Sequence, residues 1–309
     1  GMQPYDLMLQ LMAKREDPFS GGRSYYCHPS LKDADKPKIP HQSSATGMQA
    51  IPTTGVAMGI QYRILEGLDE EGTAPIAVCS LGDASITEGE VAEAFHMASL
   101  KQLPILYLVQ DNEWDISANA SEIRRGDASD YIRGFPGIHA VQIDGTDFPE
   151  CYRTIEEVLA KMRKKRKPWL IHAKVPLLNH HTSGVRKEWY RDDLERQMQR
   201  DPYPKMRELM LRQGFSEAEL DAIQSQAANL VLGDFERAKQ AEDPRPEDLY
   251  THAFAESPIV EEAGNRSPEH GEEKVMVDCA LFAIEELMRK HPECLLYGQD
   301  VGRRLGGVF

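Results

Sequence analysis

The sequence predicts an α/β fold, a parallel sheet with helices on both faces, from three observations. Short apolar runs, "PIAVCSL", "PILYLV", "HAVQID" and "WLIHAKV", recur between residues 75 and 175. Amphipathic segments lie between them, such as "EVAEAFHMASLKQ", in which Val91, Ala94, Phe95 and Ala98 share one helical face. The two kinds of segment alternate, the pattern that places crossover helices over buried parallel strands.

Taken in order, "TGMQAIPTTGVAMGIQYRILEG" is rich in small residues and reads as a buried helix. "PIAVCSL" is the first strand, and the S-x-x-E box of Ser85 and Glu88 predicts a helix beginning near Ile86. After two further strands, "PECYRTIEEVLAKMRKK" is a helix whose basic end complements the helix dipole just before Pro168. "WLIHAKV" is another strand. Residues 192–214 and 216–230 read as a helical pair, with Gly214 ending the first and Ser216 capping the second.

Composition then changes. Residues 234–274 hold twelve acids against five bases, with Pro244, Pro246, Pro258 and Pro268 and no periodicity after about residue 241. The expected division is a first domain over 1–233, an acidic Pro-containing linker over 234–273, and a new unit over 274–309 that opens with a helix and a strand.

The bulk properties exclude several classes. A net charge of −14 opposes a general nucleic-acid binder, which needs a cationic footprint. No apolar run approaches the ~18 residues of a membrane span, and no signal peptide is visible. Five scattered cysteines without a CxxC pair suit reduced thiols in a cytoplasmic protein, not a disulfide frame or zinc site. Neither a G-x-x-x-x-G-K-[ST] loop nor a helix-opening G-x-G-x-x-G is present.

The chemistry concentrates at two junctions. "SLGDASITEGEVAEAF" (80–95) places Gly82 and Asp83 at the carboxyl end of the first strand. "VQDNEWDIS" (109–117) places Asp111 and Asn112 just past the next. A right-handed crossover puts these strands side by side or one apart, and open α/β sheets bind ligands beyond such ends. Asp83 and Asn112 could then converge on one hard cation such as magnesium, which completes its shell with phosphate oxygens and water. On spacing alone, a helix cap at Asp83 and a turn at Asn112 fit equally well.

These junctions resemble the thiamine-diphosphate motif, Gly-Asp-Gly followed about thirty residues later by Asn-Asn. With "DPFSGGRSYYCHPS", "QSSATGMQAIPTTGVAMG", "GIHAVQIDGTDFPECYRTIEEVLAK" and "HHTSGVRKEWYR" in the same order, residues 3–225 resemble the alpha-subunit of the decarboxylating component of 2-oxo-acid dehydrogenase complexes. Residues 274–309, with "YGQDVG" and "GGVF", are similar to the start of the beta-subunit.

The resemblance implies a thiamine-diphosphate-binding fold and an alpha–beta fusion, N-terminally incomplete and cut early in its beta half. Asp83, Asn112 and the Trp114 carbonyl would hold Mg2+. Gly82, Ala84, Ser85 and Gln110 would lie along the diphosphate, and Ser44 and Thr46 would reach the aminopyrimidine. His181 would handle protons, with His180 as the alternative. Trp114 and Trp189 otherwise read as packing side chains. The implied reaction decarboxylates a branched-chain 2-oxo acid and passes the acyl group to a lipoyl-bearing dihydrolipoyl acyltransferase. Pyruvate or acetoin, a transketolase-like enzyme and an inactive assembly homologue are the alternatives. The expected assembly is a homodimer completed by the beta-type half, and the chain alone is expected to be inactive. Gly-Asp-Ala and Asp111-Asn112 depart from the motif; Asp111 would either tune metal affinity or face solvent.

Overall fold

A computed structural model of the chain describes residues 2–33, 35–40, 43–70, 75–182, 184–252, 254, 256, 265, 269–298 and 301. It divides into two units, Gly1–Leu249 and Tyr250–Phe309.

In the first unit, helix α1 (Pro4–Leu11) is followed by α2 (Ala50–Leu65), which leads into β1 (Ala77–Gly82). Helix α3 (Gly89–Lys101) crosses to β2 (Ile105–Asp111). A small antiparallel pair, β3 (Trp114–Asp115) and β4 (Ala118–Asn119), precedes the short helices α4 (Ala120–Ile123) and α5 (Ala128–Tyr131). Strand β5 (His139–Asp144), helix α6 (Phe148–Lys165) and strand β6 (Trp169–Lys174) complete the sheet, and α7 (Leu194–Met198), α8 (Pro202–Arg212) and α9 (Glu217–Gln240) follow. The four long strands are parallel in the order β1-β2-β6-β5.

Side-chain alternation sorts the sheet into two apolar layers. Ile105, Tyr107 and Val109 of β2 join Cys79 and Leu81 of β1 beneath Ala57 of α2 and Val91, Ala94, Phe95 and Ala98 of α3. Leu106 of β2 and Ile171 and Ala173 of β6 face the other way, onto Val158 and Met162 of α6. Tyr107 is fully buried but satisfied, its hydroxyl 2.8 Å from Thr54 Oγ1 and 3.2 Å from the Ala94 carbonyl.

Three expectations change. Helix α3 starts at Gly89, not Ile86, because the Ser85 hydroxyl donates to the Gly82 carbonyl at 2.7 Å and residues Ala84–Thr87 form a separate 3-10 turn. Helix α2 buries only Ala50, Thr54 and Ala57, leaving Ile51, Val56, Met58 and Leu65 exposed. On β1 the second face is also open, with Val78 52% exposed, so the edge strand alternates where a continuous buried run was expected.

The boundary expected at 233/234 falls inside α9. That helix runs on to Gln240 and packs along α1, where Asp234 Oδ2 accepts the Tyr5 N–H at 3.2 Å. Beyond it, Asp243 pairs with Lys14 at 2.7 Å and Glu242 with Arg15 at 3.2 Å, so residues up to 249 belong to the first unit. The helical pair expected over 192–214 and 216–230 is three helices. Asp201 caps a new helix that starts at Pro202, so the first segment is split into α7 and α8. Gly214 at φ +99° and the Ser216–Glu219 capping box mark the second junction as read.

In the second unit, α10 (Met276–Lys290) is the predicted helix. No strand follows it among the described residues, and "GGVF" lies outside them. No helix of the described residues is long and apolar enough to cross a membrane.

Candidate active site

The pairing register carries the two junctions to one place. Gly82 is opposite Gln110 on adjacent parallel strands, so the next turns of chain, at Asp83 and Asn112, leave the sheet together. Asn112, 29 residues on, donates its N–H to Asp83 Oδ1 at 3.4 Å. Asp83 is 2% exposed.

The second turn is held by its own side chains. Asn112 Oδ1 accepts the Trp114 N–H at 2.9 Å, and Asp111 Oδ1 accepts the Glu113 N–H at 3.0 Å. Glu113 between them has φ of +68°, a conformation costly for a side chain without local hydrogen bonding of its own. Trp114 is clamped from the far side of the turn. Its Nε1 donates to Asp193 Oδ2 at 3.2 Å, and the Arg191 guanidinium lies 5.3 Å from its ring centroid.

Behind this turn lies a buried charge network. Asp111, 2% exposed, accepts from His172 Nε2 at 2.8 Å and from Lys174 Nζ at 2.6 Å. His172 Nδ1 is 2.8 Å from Ser129 Oγ. Burial raises the Asp111 carboxyl, but the hydrogen bonds from His172 and Lys174 outweigh it and hold it well below the ordinary carboxylate range. Asp83 goes the other way: burial, then the neighbouring Asp111 charge, push it up against the pull of Arg124. Arg124 follows α4 with 6% of its side chain exposed; its Nη2 donates to Asp83 Oδ2.

Two places could attract a cation. Asp111, Asp127 and His172 offer ligand atoms within 4.8 Å of one another. Lys174 already sits 2.6 Å from Asp111 and 3.5 Å from Asp127, and both His172 nitrogens are engaged, so this group is compensated from within. Asp83 and Asn112 offer a carboxylate and an amide oxygen on neighbouring turns, a harder donor pair, with Asp83 itself paired to Arg124. The Asn112 amide oxygen accepts a hydrogen bond from Trp114 and retains a second lone pair, which fits a magnesium-type ligand.

Of the residues singled out in the sequence, Gly82, Asp83, Ala84, Ser85, Asn112 and Trp114 gather at these junctions. Gln110 is exposed at the end of β2, its Nε2 on Ser80 Oγ at 2.9 Å. Asp111 is buried and does not face solvent. Trp189 does not pack: it is 73% exposed. Ser44 bonds His28 Nε2 at 2.9 Å, Thr46 is exposed, and His181 is exposed; no described hydrogen bond or ion pair joins any of the three to Asp83 or Asn112. His180 is tied down by Arg186 at 3.0 Å and the Lys187 N–H at 3.2 Å.

Arg124, His172 and Lys174 escaped the sequence reading. For His172 and Lys174 a signal existed, since two polar residues at period two interrupt the apolar run "WLIHAKV" on one face. Arg124 in "EIRRGD" reads as any surface arginine.

The pyruvate dehydrogenase E1 component subunit alpha of Rickettsia prowazekii is 29% identical over 216 residues, covering 67% of this chain and 62% of the relative. The mitochondrial 2-oxoisovalerate dehydrogenase subunit alpha of Mus musculus is 27% identical over 187 residues, covering 59% of this chain and 42% of the relative. The chain thus spans less than two thirds of either relative. A transketolase structure from Campylobacter jejuni, 24% identical, covers 42% of this chain and 20% of its own with a TM-score of 0.37. Residues 1–247 match the family described as dehydrogenase E1 component, and the chain belongs to that family.

Proposed function

We propose that the chain is the alpha-type, cofactor-holding part of a thiamine-diphosphate-dependent 2-oxo acid dehydrogenase. The observation that carries this reading is the meeting of Asp83 and Asn112 beyond adjacent parallel strands, joined at 3.4 Å across 29 residues. A buried carboxylate and an amide oxygen at that position suit a divalent cation with a diphosphate.

In this reading Asp83, the Asn112 amide oxygen and the Trp114 carbonyl hold Mg2+. Gly82, Ala84, Ser85 and Gln110 lie along the diphosphate. When bound, thiamine diphosphate supplies the electron sink for loss of carbon dioxide from a 2-oxo acid. Burial of Asp83, Asp111 and Trp114 keeps water from the metal side of the site. Ser44 and Thr46 serve the aminopyrimidine side, and His181 moves protons from its exposed loop. The relatives are described as acting on pyruvate or on 2-oxoisovalerate. Of these we retain the branched-chain acid as the first substrate to test.

Ile51, Met58 and Leu65, exposed on one face of α2, support a partner surface, filled in this reading by a beta-type half in a homodimer. A lipoyl-bearing acyltransferase receives the acyl group, and the protein is placed in the cytoplasm.

Calorimetric titration with thiamine diphosphate, with and without magnesium, tests the site. Magnesium-dependent binding is expected; binding that ignores magnesium would sink the assignment of Asp83 and Asn112. Turnover by the complete polypeptide with pyruvate against 2-oxoisovalerate then reads the acid.

A further inference from the structure

The candidate metal site contains a cation of its own. Arg124 donates from Nη2 to Asp83 Oδ2, and the same nitrogen lies 3.6 Å from Asp111 Oδ1. The side chain is 6% exposed, yet its Nη1 is buried with no hydrogen-bond partner among the described residues. A buried guanidinium with an idle donor is uncommon and calls for an explanation. Asp83 and Asp111 are paired with Arg124 and Lys174, and Lys174 also lies 3.5 Å from Asp127, so Arg124 is the cation that compensates Asp83 before any metal arrives.

We propose that Arg124 is an exchangeable counter-cation. It neutralises Asp83 while the metal is absent and passes to a diphosphate oxygen when a divalent cation takes Asp83. The inference rests on the metal–diphosphate reading above. Asp83 Oδ1 already takes the Asn112 N–H and Oδ2 the Arg124 guanidinium, so a metal that takes Oδ2 competes with Arg124 for the same lone pairs and displaces it. The displaced fork is buried and needs a new acceptor. A phosphate oxygen matches its planar geometry, and the idle Nη1 is already available to form the second bond of a bidentate pair. Metal and diphosphate therefore bind as a coupled pair, part of the coupling being carried by Arg124.

The test compares the chain with R124Q and R124K. One titration uses Mn2+ alone, counting free ion by electron paramagnetic resonance. The other uses thiamine diphosphate at saturating magnesium, read by calorimetry. R124Q removes the competitor, so its affinity for Mn2+ alone rises about tenfold, as expected when a competing state is removed. Its affinity for thiamine diphosphate falls about tenfold through loss of the charge-assisted pair. R124K keeps the charge without the fork, so Mn2+ alone binds as weakly as in the parent while thiamine diphosphate still weakens. Unchanged Mn2+ affinity or unchanged thiamine diphosphate affinity in a folded R124Q overturns the exchange. Should R124Q lose its circular dichroism spectrum, R124K decides, and parental affinity for thiamine diphosphate there overturns the proposal. If the parent and both variants bind neither probe, the metal–diphosphate reading itself falls, a result distinct from a parent that binds and variants that match it.

Discussion

The rim at the carboxyl ends of β1, β2 and β6 and the loop carrying His180 and His181 both supply residues to the proposed site, but they are held differently. In the rim, Asp83 and Asp111 are each 2% exposed, and their partners, Arg124, His172, Lys174 and two backbone N–H groups, come from the chain itself. In the loop, both histidines are exposed, and among the described residues His180 bonds to the neighbouring Arg186 and Lys187. The rim's geometry is therefore set before any ligand arrives. Preorganisation here belongs to the metal and diphosphate end of the proposed site, where fixed oxygens and charges do the holding.

The strongest way to break this contrast is at Asp83. In D83N, magnesium-dependent affinity for thiamine diphosphate is expected to fall more than about 100-fold, beyond what an outer-shell loss costs. Stability should drop less than binding, because burial and the Asp111 charge offset part of the Asp83–Arg124 pairing and the asparagine amide oxygen can still accept from Arg124. Calorimetry and urea unfolding on the same samples check both halves. A large loss of stability with intact binding would make Asp83 a scaffold residue.

Asp193 should behave in the opposite way. It takes the Arg191 fork at 2.8 and 3.1 Å, Gln197 at 2.8 Å and Trp114 Nε1 at 3.2 Å. Burial raises its carboxyl, but Arg191, Gln197 and Trp114 together hold it well below the ordinary range. D193N is expected to lose about 2 kcal/mol at pH 7, within the range for truncating a buried charged hydrogen bond. For an acid held low in the folded state, the contribution is complete above the unfolded pKa of about 3.9 and disappears as pH falls through the depressed value. The parent should therefore lose stability on acidification below about pH 4, and D193N should show a flatter acid limb. Urea midpoints across that range decide it; parallel limbs would place the acid sensitivity elsewhere.

How much of this was legible in the sequence follows from how local each signal is. The positions of the four long strands, the amphipathic α6 and the Ser216 cap of α9 follow from periodicity or spacing within one element, whereas the open face of β1 depends on which neighbour covers the sheet edge. The start of α3 was misplaced because Ser85 has two possible partners, and the turn geometry gives its proton to the Gly82 carbonyl. The joining of Asp83 to Asn112 was inferable from strand adjacency. The pairing of Asp83 with Arg124 was not, because nothing in "EIRRGD" marks which arginine turns inward across 41 residues. The extent of α9 was hidden by composition: acids and prolines suggested a linker, but Asp234, Glu242 and Asp243 have basic or backbone partners on the N-terminal segment.

The smallest expected effect probes the strain in the rim. Glu113 sits at φ +68° with its own N–H held by Asp111 Oδ1 and the next by Asn112 Oδ1, so the turn forces a left-handed conformation on a residue whose side chain takes no part in holding it. Its one described ion pair, to Arg196 at 3.3 Å, involves a partner 62% exposed and is worth little. Asparagine tolerates this region through its short side chain and avoids the backbone entropy that glycine would add to the unfolded chain. E113N is expected to raise stability by about 0.5 kcal/mol, the scale of relieving one such residue. Metal-dependent affinity should stay as in the parent, since Asn112 and Trp114 keep their hydrogen bond. A loss of stability would mean that the Arg196 pair outweighs the strain. A change in affinity with unchanged stability would mean that the Glu113 carboxylate acts on the metal directly, which would move the boundary of the preorganised rim outward by one residue.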